Sequence, residues 1–290
     1  MRLARFDDNR LGLVNNDCVY DVSAALDMLP SVHYPVPHGD QLIAHLGAVL
    51  DRARALAPTS RVVPLNSVVL RSPVANPGKV IGAPVNYQQH LDEVRGDAQL
   101  HHGNTIGTIH HAGLFLKAAS SLVGAGDGIA LAMLDRRTDH EVELAVVIGR
   151  RVRHITRADA LSCVAGYCVG LDITIRGSEE RSLRKSIDSY TVLGPYLATA
   201  DEVGSPDDLE LSLSVNGERR QQSNTRFLIK KVAELIEFAS SFYTLYPGDV
   251  LMTGTPEGVA PIYPGDTIEA TISRIGSMRV AVTKGDNGPS

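Results

Sequence analysis

Residues 139–148 read Asp-His-Glu-Val-Glu-Leu-Ala-Val-Val-Ile, an extended run by composition. Side chains alternate faces along a strand, so Glu141 and Glu143 project to one side while Val142 and Leu144 project to the other. A generic pair of acids at this spacing is a solvated strand face. Here the apolar residues that follow carry the strand into a core, and two carboxylates at a core edge must protonate, pair or bind a cation. A second apolar run, residues 164–172, ends on a third acid, Asp172. Three carboxylates with no Cys or His partner suit a hard divalent ion: Mg²⁺, with Mn²⁺ or Ca²⁺ as substitutes. Spacing alone does not bring Asp172 to the two glutamates.

His90 and Glu93 stand three residues apart on an expected helix at 86–94, where they are neighbours. A carboxylate beside an imidazole orients it and raises its basicity, which is the arrangement of a general base. On spacing alone a surface His–Glu pair is the commoner case. The pairs His101–His102 and His110–His111 fall in a polar stretch without periodicity, expected as a mobile loop that could hold a softer metal. Lys117 ends an apolar strand, whereas Lys185 lies in a charged run that is ordinarily a solvated face. Residues 252–259 lead a strand into a Gly/Pro loop bearing Thr253, Gly254 and Thr255, a simple turn or a backbone cradle for an oxyanion. The glycines at 124, 126 and 128 lack the spacing of a dinucleotide loop, and no Walker A, GxSxG or HExxH motif is present.

The elements that must position these groups are mostly strands. Residues 2–6, 11–14 and 18–21 alternate between polar turns and predict a small antiparallel meander. Leu42, Ile43, Leu46 and Leu50 recur at helical spacing. The Pro-containing stretch 71–78 makes the best boundary, dividing a small N-terminal α/β domain (1–72) from a catalytic domain (73–290). Beyond it, strands are expected at 79–81, 114–117, 141–148, 164–172, 190–198, 209–215, 250–253, 267–272 and 278–282. One long helix is expected at 227–243, with Asn224 or Thr225 as its N-cap. The sequence Tyr-Pro-Gly-Asp occurs at 246–249 and 263–266 and predicts two type II turns. Strands and helices do not alternate regularly, so the class is α+β and sheet-rich rather than Rossmann or TIM barrel.

The 290 residues carry 33 acids against 28 bases, a net charge of −5 that excludes an electrostatically driven nucleic-acid binder. Tryptophan is absent, which disfavours a base-stacking surface. Three cysteines without a CxxC pair form no disulfide framework. The start lacks the apolar stretch of a signal peptide, and the longest apolar run, 128–134, falls short of the roughly 18 residues of a membrane span. A cytoplasmic protein is expected.

The segments NYQQHLDE (86–93), LFLKAASSLVGAGD (114–127), DHEVELAVVIGR (139–150), GLDIT (170–174), RKSID (184–188), VLGPYLATADE (192–202), VNGE (215–218) and LMTGTPEGV (251–259) together resemble the fumarylacetoacetate hydrolase family. The resemblance covers about residues 73–283 and lies in the ordered set rather than any one motif. It implies a mixed β-sandwich roll that holds Mg²⁺ through Glu141, Glu143 and Asp172, with His90 and Glu93 as a water-activating dyad. Lys185 joins them as a catalytic cation, and Lys117, Thr253, Gly254 and Thr255 match positions lining the family's substrate pocket. Family members are typically homodimers acting on acylpyruvates and related 2-oxo acids. The implied function is a Mg²⁺-dependent hydrolase that cleaves a C–C bond in an acylpyruvate such as fumarylpyruvate through a stabilised enolate. The alternatives are a decarboxylase or isomerase of a related 2-oxo acid, or a non-catalytic metal or carboxylate binder. The chain departs from the family pattern at residues 175–177 (Ile-Arg-Gly), at Ile187 and at residues 83–85, none of them a proposed metal ligand.

Overall fold

The computed structural model describes residues 1–102 and 107–285. Alternation along two strands decides its architecture. Val142–Ile148 is buried throughout, and Val164–Asp172 from Gly166 onward, as strands covered on both faces must be. Leu144, Val146 and Ile148 share one core with Tyr167, Val169 and Leu171. Ala145, Val147 and Cys168 point the other way into a second core.

The two strands pair antiparallel inside a twelve-stranded sheet. Its main path runs Val62–Pro64, Cys18–Asp21, Arg10–Asn15, Arg2–Phe6, Thr191–Thr199, Val164–Asp172, Val142–Ile148, Val250–Met252, Val80–Gly82, Phe115–Lys117. A five-stranded sheet, ordered Glu218–Asn224, Glu210–Val215, Thr267–Ile272, Gly276–Lys284, Ile129–Leu131, shares the first core through Leu211, Leu213, Ile268 and Ala270. Helix Val232–Phe242 adds Val232, Leu235, Ile236 and Ala239 to it. The sheet-rich α+β class follows. No helix among the described residues is long and apolar enough to cross a membrane.

The N-terminal meander forms as expected and continues the large sheet. Arg2 pairs with Ala198 and Leu3 with Leu197, and Leu3, Leu11 and Ile43 pack in the same core as Ala145, Val147 and Leu193. Sheet and core therefore run across residue 72, where the composition changes. Buried Asp40 fastens the crossing: it caps helix Gln41–Ala44 through the Ile43 N–H at 3.1 Å and accepts from the Ala75 and Asn76 N–H groups at 3.0 and 2.9 Å. Both Tyr-Pro-Gly-Asp segments are turns with glycine at positive φ, 84° at Gly248 and 98° at Gly265. In each, the Asp carboxylate also accepts the Tyr N–H at 2.8 Å.

Three expectations are corrected. Asn224 caps a short 3-10 turn, Thr225–Phe227, and the long helix starts only at Val232, where Glu234 accepts from the Lys231 N–H. Its start is delayed because Asn86 takes the N–H groups of residues 229 and 230. The histidine pairs are not in an unstructured loop: short helices span Ala98–His101 and Ile109–Ala112, while the part of that stretch at 103–106 lies outside the described residues. The polar strand Glu218–Asn224 was not expected at all.

Candidate metal centre and active site

Register assembles the acids. Val142 pairs with Leu171 and Glu143 with Gly170, and the Asp172 N–H donates to the Glu141 carbonyl at 2.9 Å. Glu141 thus stands opposite Asp172, and alternation turns both, with Glu143, to the sheet face away from Val142 and Leu171. The three carboxylates bring oxygens within 4.8 Å of one another, and all three residues are at most 4% exposed. Among the described residues this is the one cluster of three or more potential metal ligands.

The triad is unevenly neutralised. Lys185 Nζ donates to Glu141 Oε2 at 2.7 Å, Asp172 Oδ2 at 2.6 Å and Thr174 Oγ1 at 2.6 Å. Arg176 donates to Glu141 Oε1 at 2.9 Å and Asp139 Oδ2 at 2.7 Å. Lys117 bonds Asp172 and the Tyr190 carbonyl. Glu143 has no ion-pair partner among the described residues and accepts only the Gly254 N–H, at 2.6 Å. The consequences for protonation are opposite. Burial would raise Glu141, but the charges of Lys185 and Arg176 outweigh it and hold its carboxyl below the ordinary range. Burial and the neighbouring Asp172 charge drive Glu143 well above that range. Burial lowers the Lys117 ammonium despite its contact with Asp172. An all-oxygen set of three converging carboxylates, one lacking a cationic partner, fits a hard divalent ion.

His90 and Glu93 lie on helix Gln88–Gly96, with His90 Nδ1 2.9 Å from Glu93 Oε2. A carboxylate only accepts, so Nδ1 carries the proton and Nε2 is left as the basic nitrogen. Glu93 is held in turn by the Gly258 N–H at 2.9 Å. Asn86, fully buried before this helix, donates to the Thr253 carbonyl at 2.8 Å and the Lys230 carbonyl at 3.0 Å, and accepts the Lys230 N–H at 2.8 Å. It ties the His90 helix, the Thr253–Thr255 loop and the approach to the long helix into one unit. Gly254 is required there: its φ is +97°, and a Cβ would fall 2.8 Å from Asn86 Cβ.

A cavity of about 340 Å³ opens over the triad, lined by His90, Glu141, Glu143, Asp172, Lys185 and Thr255 among the residues named in advance. Lys117, Thr253, Gly254 and Glu93 stand behind this wall. Lys117 reaches the site through Asp172, Glu93 through His90, Gly254 through its N–H on Glu143, and Thr253 through its carbonyl on Asn86. Gln221 Nε2 donates to Thr255 Oγ1 at 2.8 Å, which leaves the threonine proton free to be donated elsewhere. Three groups were missed by sequence reasoning: Arg176, Asn86 and Gln221. Only Arg176 carried a usable signal, because Asp172, Thr174 and Arg176 alternate onto one side of the chain.

A family model for the fumarylacetoacetate (FAA) hydrolase C-terminal domain matches residues 79–283. A maleylpyruvate hydrolase of Aquipseudomonas alcaligenes is 56% identical over 284 residues, covering 97% of this chain and 99% of that one. A mitochondrial oxaloacetate tautomerase of Rattus norvegicus is 37% identical over 77% of this chain and 72% of its own length. Among solved structures, maleylpyruvate hydrolase from Sphingobium sp. in complex with manganese(II) and pyruvate superposes with a TM-score of 0.83 at 38% identity, covering 99% of this chain and 100% of that one.

Proposed function

The chain belongs to the fumarylacetoacetate hydrolase family, and from that premise we propose that it hydrolyses the C–C bond of an acylpyruvate whose acyl group ends in a carboxylate, of the maleylpyruvate or fumarylpyruvate type, giving pyruvate and the dicarboxylic acid. One observation carries the reading: a single cavity joins three buried carboxylates, one without a cationic partner, to a histidine whose Nδ1 is held by a carboxylate. The relative most similar in sequence of those named above hydrolyses maleylpyruvate, and the related crystal structure contains pyruvate, the product this cleavage releases.

Glu141, Glu143 and Asp172 would hold the ion, proposed to be Mg²⁺ with Mn²⁺ or Ca²⁺ as substitutes. When bound it supplies Lewis-acid stabilisation of the negative charge that collects on the 2-oxo oxygen. His90 takes a proton from water at Nε2, while Glu93 keeps the imidazole in the required tautomer and stabilises the imidazolium that forms. The water oxygen bonds to the acyl carbonyl carbon. The bond from that carbon to C3 of the pyruvyl unit then breaks, its electron pair passes to C3 and the 2-oxo oxygen, and C3 takes a proton to give pyruvate. Lys185 and the Thr255 hydroxyl stabilise the developing oxyanion. Lys117 positions Asp172; Thr253 and Gly254 set the loop that presents Thr255 and holds Glu143.

The test is purified protein with Mg²⁺ against a panel of acylpyruvates and oxaloacetate, with pyruvate release followed by a coupled assay. Pyruvate from the acylpyruvates alone is expected. Pyruvate from oxaloacetate alone would move the reading to decarboxylation. Loss of the oxaloacetate enol without pyruvate would move it to tautomerisation, and no turnover of any kind would sink the hydrolase. The same reading expects a homodimer, which light scattering on the purified protein checks.

A further inference from the structure

Four guanidinium and ammonium groups line the cavity, and three are engaged by hydrogen bonds. Arg176 donates to Asp139 and Glu141. Lys185 donates to Glu141, Asp172 and Thr174. Arg184 donates from Nε to the Glu179 carbonyl at 2.8 Å. Arg181 differs: its guanidinium makes no hydrogen bond to any described residue and lies over the Phe115 ring, Cζ 5.7 Å from the centroid. The neighbouring acids do not claim it. Glu180 accepts the Ser182 N–H at 2.7 Å, and Glu179 is bound by Arg136 at 2.8 Å.

Phe115 is a fixed platform. It stands opposite Gly82 in the ladder, and a Cβ at Gly82 would fall 2.1 Å from Phe115 Cζ, so the ring lies on bare glycine backbone. Lys185 Nζ sits 5.5 Å from the same ring centroid. One ring therefore carries two cations: the lysine that touches the acid triad, and an arginine whose donor edge has no hydrogen-bond partner among the described residues.

We propose that Arg181 is the specificity-determining residue for the distal carboxylate of the substrate. The inference rests on the acylpyruvate reading above. With the pyruvyl end at the triad, the acyl chain carries its terminal carboxylate away from the 2-oxo carbon into the same cavity, whose wall includes Arg181. A guanidinium fork and a carboxylate are planar and join by two parallel hydrogen bonds, a match an ammonium does not reproduce. An acyl group without a carboxylate would leave the guanidinium half-buried and unpaired, which penalises such a substrate. Arg181 thus selects maleyl- and fumaryl-type acyl groups over neutral ones.

The experiment compares Arg181→Gln and Arg181→Lys with the unmodified enzyme on maleylpyruvate and acetylpyruvate, loaded with Mg²⁺. A parallel calorimetric titration with maleate and with pyruvate reads binding without turnover. In Arg181→Gln the kcat/KM ratio of maleylpyruvate to acetylpyruvate is expected to fall by roughly 100-fold, with a smaller fall in Arg181→Lys. Maleate binding weakens about as much, while pyruvate binding does not follow it. Equal losses on both substrates, or an unchanged ratio, would overturn the proposal. If the unmodified enzyme cleaves neither acylpyruvate, the hydrolase reading fails and the maleate titration alone decides: weakened binding in Arg181→Gln upholds Arg181 as a carboxylate site, and unchanged binding overturns it.

Discussion

Glu143→Gln should separate the fold from its metal. In the metal-free protein Glu143 lies 3% exposed with no ion-pair partner among the described residues, and burial together with Asp172 raises its pKa well above the ordinary value. That shift favours its protonated form in the metal-free protein, and glutamine is the close isostere of that form. The amide oxygen can accept the Gly254 N–H that now reaches Oε2 at 2.6 Å. Below the unfolded-state pKa of a glutamate, metal-free stability should therefore change by less than about 1 kcal/mol, and at higher pH the variant should be the more stable, whereas removing a paired buried charge would cost about 3–5 kcal/mol. The loaded protein should behave otherwise. A metal present at 100 times its Kd stabilises the native state by about 2.7 kcal/mol, roughly 5 °C in Tm for a chain of this size. Glu143→Gln should lose that increment and, with it, activity.

The pH dependence has a definite sign. A carboxyl whose folded pKa is raised holds a proton in the native state that the unfolded chain has already lost, so its contribution is complete below the unfolded value and disappears as pH rises through the folded one. Metal-free protein should lose this contribution with rising pH, and Glu143→Gln should not. Scanning calorimetry of both proteins, with chelator and with Mg²⁺, reads all of this. A metal-free variant weakened by several kcal/mol, or one that keeps the Mg²⁺ increment in Tm, would refute the reasoning.

The other predictions use the same site. His90→Ala should cut hydrolysis by about 10²-fold or more while keeping the Mg²⁺ shift in Tm; loss of both would make His90 structural. Glu93→Gln should retain metal binding and give a smaller loss of kcat, because the ring stays but its tautomer is no longer enforced. Asn86→Ala leaves three backbone groups of residues 230 and 253 without partners and should cost about 2–4 kcal/mol in urea denaturation, together with a fall in kcat; an unchanged urea midpoint would show that the loop stands without it. Gly82→Ala drives a methyl group into the Phe115 ring and should cost about 1–3 kcal/mol. Its signature would be a larger loss on maleylpyruvate than on acetylpyruvate, and equal kinetics on both would show that the ring does not set the position of Arg181.

Much of this site was legible because strand alternation is a local rule. The shared face of Glu141 and Glu143 follows from their spacing, as does a strand that ends on Asp172. The i, i+3 spacing of His90 and Glu93 likewise predicts their contact. What failed to show locally was the element with the wrong composition. Glu218–Asn224 is a strand of charged and amide residues whose buried positions include Gln221 and Asn224. Propensity sees nothing there because the strand is held by pairing with Glu210–Val215 and by the bonds Gln221 makes to Val142, Thr255 and Pro256. The late start of the long helix has the same origin. Residues 228–231 satisfy helical spacing, but Asn86, far away in sequence, takes the backbone groups of residues 229 and 230 first.

The meeting of Asp172 with the two glutamates belongs to neither class. Spacing along one strand cannot give it, because it depends on register between two strands, and register is set by packing. A slip of one residue would turn every side chain of Val164–Asp172 to its opposite face. Leu171 would leave the core it shares with Leu144 and Val146, and Asp172 would enter it. Burying an unpaired carboxylate there is prohibitive, so Tyr167, Val169 and Leu171 fix the register that aims the acid. The apolar residues interleaved with the acids thus position the metal centre as surely as the acids supply it. Lys117 and Lys185, arriving from other elements, then neutralise Asp172 and Glu141 and leave Glu143 for the cation.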